Sequence, residues 1–352
     1  MTPLGERLIR RIAATGPISL AEYMSECLLH PEFGYYTTRD PFGTAGDFIT
    51  APEISQMFGE LVGLALGDAW MAQGRPQNAL LVELGPGRGT LMRDALRALK
   101  TVSGDALNPW LVEASPTLRK VQSETIGQPV AWADTLDALP DGPVFLIANE
   151  FFDALPIRQY LRDGDGWRER VVGVADGGLS FGLTDPAHYP PLDARLENTA
   201  QGDLVETCAP ADALVAGIAI RIAEQGGAAL IVDYGHWGGT GDTFQAVTRH
   251  RKCDPLAAPG QADLTAHVDF AALARTAAQS GVQVAPMTDQ GVFLERLGIT
   301  ARAQQLAAGL GEDDLEMLIR AHRRLTHPEE MGSLFKVLGL VPMGASEIAG
   351  TG

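Results

Sequence analysis

The chain has 352 residues, and 44 aspartate and glutamate residues against 27 lysine and arginine residues give it a formal net charge of −17. A hydrophobic fraction of 45% with 20% charged residues indicates a soluble globular protein with a large core, and it excludes a disordered tail, a collagen and a disulfide-rich miniprotein. Lysine and arginine are scarce and scattered, so we expect no nucleic acid among the partners. The length fits one large domain with additions, or two domains.

Cysteine usage and hydropathy indicate a cytoplasmic protein. Cys27, Cys208 and Cys253 are odd in number and widely spaced, so they predict neither a disulfide framework nor a zinc site, and we expect no metal. Residues 1–18 lack the apolar segment of a secretory signal. No apolar stretch reaches the roughly 20 residues that span a bilayer, so we expect no membrane insertion.

The N-terminal segment is predicted to be mainly helical. An amphipathic pattern covers residues 4–14, and a second helix follows with Ser19 as its N-cap and Glu22 three positions later. Residues 30–52 are rich in glycine, proline and aromatic residues, and a loop of that length inside a globular chain is usually functional. Another helix is predicted over residues 53–73.

After Gly74, short apolar runs bounded by turn residues alternate with helical patterns, which indicates βαβ units, a buried parallel sheet and an α/β fold. The runs lie at residues 79–84, 108–113, 129–133, 143–149 and 227–233, with a last strand at 333–340. The pattern therefore divides the chain into an N-terminal segment, 1–75, and a core, 76–345. Within the core, turn signals predict an antiparallel β insertion at about 157–200. A long loop is predicted at about 238–267.

The strongest local motif is LLVELGPGRGTLM. A strand carries Glu83 near its end and turns through Gly85, Gly87 and Gly89 into a helix, and glycines there let backbone N–H groups approach a ligand. A dinucleotide motif would need its third glycine where Thr90 stands, which disfavours a nicotinamide enzyme. The pattern resembles motif I of S-adenosylmethionine-dependent methyltransferases, where the acid lies close to the methionine part of the cofactor. The alternative is a turn with only a structural role.

Polar residues also end the next three predicted strands, and ligands bind at the carboxyl ends of parallel strands. Glu113 can accept hydrogen bonds from both ribose hydroxyls; the alternative is an exposed strand-end carboxylate. Asp134 is a candidate for the adenine amino group. Asn149, Glu150 and Asp153 follow the fourth strand, where a methyl acceptor would lie, and two close carboxylates suit a cation such as a guanidinium. The alternative for Asp153 is capping of a helix.

Motifs along nearly the whole chain, from Gly16 to about Leu340, resemble the MidA family of methyltransferases. They are GPISLAEYMSECLLHPEFGYY, GDFITAPEISQMFGE, VELGPGRGTLM, NEFFDALP, VDYGH, HRKCDPLAAPGQADLTAHVDF and TDQGVFLERLGI. The resemblance implies a Rossmann-like seven-stranded core with an N-terminal helical and lid extension and a β insertion. It also implies that the segment around Thr50, Pro52 and Glu53 packs over the cofactor, although Glu53 is alternatively a helix cap. Ala51 departs from the serine expected there.

The resemblance further implies transfer of a methyl group from S-adenosylmethionine to a protein arginine. Glu150 and Asp153 would hold the guanidinium, and His267 would assist its loss of a proton, although a lone histidine is more often a cap or a core residue. The implied partner is a subunit of respiratory complex I, of the iron–sulfur protein 2 type, with eukaryotic relatives in the mitochondrial matrix. The alternatives are a cofactor-binding assembly chaperone without transfer and a small-molecule methyltransferase.

Overall fold

A computed structural model of the protein describes residues 1–38, 49–248 and 251–352. Its strands are β1 (Ile18–Ser19), β2 (Leu80–Leu84), β3 (Asn108–Val112), β4 (Ala131–Ala133), β5 (Val144–Asn149), β6 (Arg158–Asp163), β7 (Gly166–Ala175), β8 (Gly178–Leu183), β9 (Leu204–Thr207), β10 (Gly227–His236), β11 (Gln245–Thr248), β12 (Arg251–Cys253), β13 (Asp263–Thr265), β14 (Val268–Asp269), β15 (Val282–Val284), β16 (Thr288–Asp289) and β17 (Phe335–Pro342). Its α-helices are α1 (Pro3–Thr15), α2 (Leu20–Leu29), α3 (Tyr35–Thr38), α4 (Ala51–Ile54), α5 (Gln56–Ala72), α6 (Thr90–Leu99), α7 (Pro116–Ile126), α8 (Ala209–Gln225), α9 (Phe270–Gln279), α10 (Gln290–Arg296), α11 (Ile299–Ala307) and α12 (Glu312–Thr326). In these described parts of the chain, none of the helices is both long and apolar enough to cross a membrane.

One compact unit comprises Ile49–Phe152, Asp212–Gly235 and Phe270–Gly352. Its sheet has the strand order β15-β17-β10-β5-β2-β3-β4. Strands β4, β3, β2, β5 and β10 pair in parallel, and β17 is antiparallel to both of its neighbours. These seven strands form the Rossmann-like core that the family resemblance implies, and β16 pairs in addition with β17, so the predicted fold class is confirmed.

The core sheet is buried on both faces, which explains why its strands are continuous apolar runs rather than alternating ones. All five residues of β2 and all six of β5 are buried. Helices α5 and α6 pack closely together over one face. A Cβ added at Gly63 of α5 would lie only 2.7 Å from Ala95 of α6, so the glycine permits this close approach. That close packing fixes the position of α6, the helix that follows the glycine turn.

The described residues within Met1–Phe48, Asp153–Ala211 and His236–Asp269 form the other compact unit. Its main sheet has the order β1-β7-β6-β9, with β8 paired to β7, and the predicted antiparallel insertion is confirmed by the pairing of β6, β7 and β8. The segment predicted as a long loop, 238–267, instead contains the three-stranded sheet β12-β11-β13. Those strands have three or four residues each, too short to show alternation, and pairing between distant residues forms them.

The N-terminal helices end and begin where the side chains predict. Ser19 and Glu22 form the predicted capping box, in which the Glu22 amide donates to Ser19 Oγ at 3.2 Å and the Ser19 amide donates to Glu22 Oε2 at 3.0 Å. The helix predicted over 53–73 is divided at Ser55 into α4 and α5. Helices α1 and α2 pack against β7. The two compact units therefore do not coincide with the two continuous segments predicted from the sequence, 1–75 and 76–345. Of the predicted lid, residues 39–48 lie outside the described residues.

Candidate functional site

The turn after β2 can be built only from glycine at its critical positions. Gly85, Gly87 and Gly89 have φ angles of 58°, 51° and 84°, a region that L-residues with a Cβ avoid. At Gly85 a Cβ would lie 2.4 Å from the ring of Phe151, and at Gly89 it would lie 3.2 Å from Ile126. The turn therefore keeps a bare backbone at the carboxyl end of the sheet, beside the point where the strand order reverses between β2 and β5.

Glu83 places a buried carboxyl just before this turn. It is 4% exposed, and its Oε2 atom has no hydrogen-bond partner among the described residues. Burial raises the pKa of Glu83 to about 8, against the opposing effect of a hydrogen bond from the Met92 amide. A buried acceptor without a partner is costly, so the position fits a carboxylate that receives hydrogen bonds or a positive charge from a ligand.

The predicted acceptor residues at the end of β5 also hold the start of α4. The Ala51 amide donates to Glu150 Oε1 at 2.8 Å, so Glu150 caps a helix whose N-cap, Thr50, makes no side-chain capping bond. Asn149 Nδ2 donates to the same oxygen at 3.2 Å. Glu150 adopts φ = 50°, a strained value for a non-glycine residue, while Pro52 is buried in the first turn of α4.

Thr90 has a positive role in addition to disfavouring a dinucleotide site. Its hydroxyl donates a hydrogen bond to Glu53 Oε1, so the first residue of α6 is tied to α4. Glu53 thus contacts the helix after the glycine turn, whereas the capping of α4 comes from Glu150. The Thr50–Glu53 segment is consequently anchored at both ends to the edge that carries the glycine turn.

The two acids predicted to bind adenosine differ in their surroundings. Burial raises the pKa of Glu113, and the Ser115 amide, Gln122 and Arg119 oppose that effect. Glu113 Oε1 accepts from the Ser115 amide at 2.7 Å, and Oε2 accepts from Gln122 Nε2 at 3.2 Å. Asp134 has a side chain that is 77% exposed and pairs with Arg119 at 2.5 Å. The structure therefore places Glu113 within the edge and Asp134 at its rim.

Two buried polar side chains at this edge make contacts that the sequence does not predict. Asp233 accepts from the Phe151 and Phe152 amides at 3.1 and 2.9 Å and so fixes the chain after β5; its position at a strand end was the only sequence signal. Gln122 is fully buried between Leu118 and Ile126 on α7. A polar residue on an apolar helical face at i, i+4 and i+8 was a signal that the sequence offered for it.

Asp153 and His267 lie in the other compact unit, where the structure brings their segments together. The Ala266 amide donates to the Asp153 carbonyl at 3.0 Å, and Asp153 is 8% exposed. No helix begins at Asp153, since the chain turns there and enters β6, so the capping alternative is wrong. Burial lowers the pKa of His267, and the charges of His236 and Lys252 act in the same direction, which favours a neutral imidazole.

The core sheet combines parallel strands in this order with one antiparallel strand, β17. Its first strand, β2, carries an acid near its end and leads into a glycine turn. Together these features define the Rossmann-like methyltransferases. A family model described as "S-adenosyl-L-methionine-dependent methyltransferase" matches residues 61–288. The chain belongs to this family.

Solved and curated relatives agree with that assignment. The chain is 41% identical over 367 residues to a protein of Danio rerio named "Protein arginine methyltransferase NDUFAF7, mitochondrial", covering 96% of this chain and 86% of that protein. The Homo sapiens protein of the same name is 38% identical, covering 97% and 84%. A crystal structure of a COG1565 superfamily member from Burkholderia thailandensis, bound to S-adenosylhomocysteine, has a TM-score of 0.87 and 30% identity, covering 99% and 93%. The protein is thus an S-adenosylmethionine-dependent methyltransferase.

Proposed function

We propose that this protein transfers the methyl group of S-adenosylmethionine to the guanidinium group of a protein arginine. The proposal is carried by its similarity over nearly the whole chain to relatives named as protein arginine methyltransferases. It is supported by the polar end of β5, where Asn149 and Glu150 lie next to Phe151, whose ring packs on the glycine turn.

The residues at the sheet edge fit the cofactor. We assign Glu83 to the methionine part, since its buried Oε2 lacks a partner among the described residues. We assign Glu113 to the ribose hydroxyls and Asp134 to the adenine amino group, and the bare backbone of Gly85, Gly87 and Gly89 to close contact with the ligand. The anchored segment with Thr50, Pro52 and Glu53 completes this cofactor-binding set.

The chemistry requires that two cations react. S-adenosylmethionine, when bound, supplies a methyl group on a sulfonium, and a guanidinium is protonated up to a pKa above about 12. Negative side chains must therefore offset the repulsion and orient one nitrogen. Glu150 supplies a carboxylate at the end of β5, and the buried Oδ1 of Asn149, which has no partner among the described residues, can accept a guanidinium N–H. Alignment of the reacting atoms supplies up to about 7–11 kcal/mol in favourable cases.

Asp153 and His267 keep their predicted roles within this proposal. Asp153 is assigned to hold the guanidinium together with Glu150. His267 is assigned to take the proton that leaves as the new nitrogen–carbon bond forms, and its lowered pKa, caused first by burial, favours the neutral imidazole that this role requires.

The substrate proposed is a respiratory complex I subunit of the iron–sulfur protein 2 type, modified in the bacterial cytoplasm; the eukaryotic relatives are named mitochondrial. Mass spectrometry of complex I subunits from a strain that lacks this protein tests the proposal. Loss of one arginine methylation, restored by the wild-type gene but not by Glu150→Gln, is the expected result. An unchanged arginine methylation pattern contradicts the proposed substrate, and restoration by Glu150→Gln contradicts the proposed role of Glu150.

A further inference from the structure

Gln122 is a polar residue at a position where the helix presents apolar ones. In α7, Leu118, Gln122 and Ile126 recur every four residues on the buried face and are 8%, 0% and 6% exposed. An amide that is removed from water costs stability unless its hydrogen-bonding groups find partners. The contacts of this one side chain therefore indicate what it is for.

Every hydrogen-bonding group at the Gln122 amide reaches a different element of the sheet edge. Nε2 donates to the Gly87 carbonyl at 2.9 Å and to Glu113 Oε2 at 3.2 Å. Oε1 accepts from Trp132 Nε1 at 2.8 Å. One side chain thus joins the glycine turn after β2, the acid after β3 and strand β4.

The donors of Gln122 point at the two features that must hold their geometry for adenosine. The Gly87 carbonyl lies in a turn with left-handed backbone angles, and Glu113 must keep a free face for two hydroxyl groups. Burial raises the pKa of Glu113, so a donated hydrogen bond from Gln122 helps to keep the carboxylate ionised. Neither a leucine nor a glutamate at position 122 could donate these bonds.

We propose that Gln122 is a positioning residue of the cofactor site, which holds the glycine turn and the ribose carboxylate in register and so sets the affinity for the adenosine part of the cofactor. This inference rests on the proposed assignment of Glu113 to the ribose. It does not depend on whether arginine is the methyl acceptor. A Gln122 variant is therefore expected to lose affinity for any ligand that contains adenosine.

The test is isothermal titration calorimetry of the full chain with two probes, S-adenosylhomocysteine and 5′-methylthioadenosine, which lacks the amino acid part. Gln122→Leu is expected to weaken both probes by the same factor, on the order of tenfold to a hundredfold, the loss expected for a hydrogen bond to a charged group. Glu83→Gln is expected to weaken only S-adenosylhomocysteine. Unchanged affinity of a folded Gln122→Leu protein for 5′-methylthioadenosine overturns the inference.

A matched control and a milder variant separate positioning from general damage. Gln290 is also 0% exposed, and its amide donates to the Leu325 carbonyl instead of to the glycine turn, so Gln290→Leu is expected to bind both probes normally. If Gln122→Leu does not fold, Trp132→Phe removes the donor that orients the amide and is expected to weaken both probes severalfold; unchanged affinity there refutes the inference.

A double-mutant cycle that combines Gln122→Leu with Glu113→Gln tests whether the two residues act together on cofactor affinity. The two losses are expected to be strongly non-additive, because each substitution breaks the same arrangement. Additive losses contradict the coupling between Gln122 and Glu113. If cofactor binding depends on Gln122 but no arginine is methylated, this inference is supported and only the proposed methyl acceptor is contradicted.

Discussion

Replacing Glu83 by glutamine is predicted to change how stability depends on pH. Burial raises the pKa of Glu83 from 4.5 to about 8, so the folded protein prefers the protonated acid. The stability that this proton binding contributes is fully present below pH 4.5 and is lost as the pH rises through 8. Glutamine keeps the shape and stays neutral, so it escapes this loss.

The size of the effect follows from the two pKa values. Since a tenfold change in a protonation equilibrium is worth about 1.4 kcal/mol, the cost of ionising Glu83 in the folded state approaches roughly 5 kcal/mol well above pH 8. The free energy of unfolding of Glu83→Gln relative to wild type is therefore expected to increase by roughly 3.5 kcal/mol between pH 5 and pH 8. The pH dependence of this stability difference is diagnostic and its absolute value is not, because an unpaired buried amide adds a cost that does not change with pH.

Urea unfolding at pH 5, 6, 7 and 8, without cofactor, measures this slope. Glu60→Gln is a matched control with the opposite sign: burial raises the pKa of Glu60, but hydrogen bonds from Arg302 and Arg97 outweigh it and the pKa is lowered. The stability that Glu60 contributes is present above its unfolded pKa, so its variant is expected to show a constant loss over this range. Parallel curves for Glu83→Gln and wild type would show that burial does not raise the pKa of Glu83 in the folded protein.

Three further substitutions test separate parts of the structure. Gly87→Val forces a β-branched residue to φ = 51° and is expected to abolish S-adenosylhomocysteine binding. The control Gly177→Val, at an open turn with φ = 76°, is expected to bind normally. If calorimetry finds equal affinities for the two variants, the glycine turn is not part of the binding site. Glu150→Gln keeps an oxygen that can accept from the Ala51 amide, so we expect normal S-adenosylhomocysteine binding but methyl transfer reduced on the order of a hundredfold. Loss of S-adenosylhomocysteine binding would mean that Glu150 belongs to the cofactor-binding residues instead of the acceptor-binding ones. Ser19→Ala removes a capping bond and is expected to cost about 1 kcal/mol in urea unfolding, with no loss falsifying the cap's role.

Local patterns were enough for the fold but not for the contacts within the edge. The buried parallel strands follow from runs such as 79–84 and 143–149, whose apolar character is set within each strand, whereas the seven-stranded Rossmann-like core is implied by the family resemblance. The Ser19–Glu22 capping box is equally local. The strands within 238–267 were missed because their pairing partners, not their own residues, define them.

The site shows the same division between local and long-range information. Glu83 and the three glycines are visible because chemistry and spacing coincide in one short motif. The bond from Ala51 to Glu150 joins residues 99 positions apart, so no pattern along the chain reveals that a predicted acceptor residue also caps a helix. Gln122 was discernible only as an anomaly on an apolar face.

The proposed reaction moves a methyl group from S-adenosylmethionine to an arginine of a protein. Incubation of the full chain with S-adenosylmethionine labelled in its methyl group and an intact partner subunit, followed by tandem mass spectrometry, measures this directly. With the wild-type protein we expect the label on an arginine side chain, and with Glu150→Gln we expect its near absence. Label on a different residue type, or none on the subunit while S-adenosylhomocysteine still binds, would contradict it.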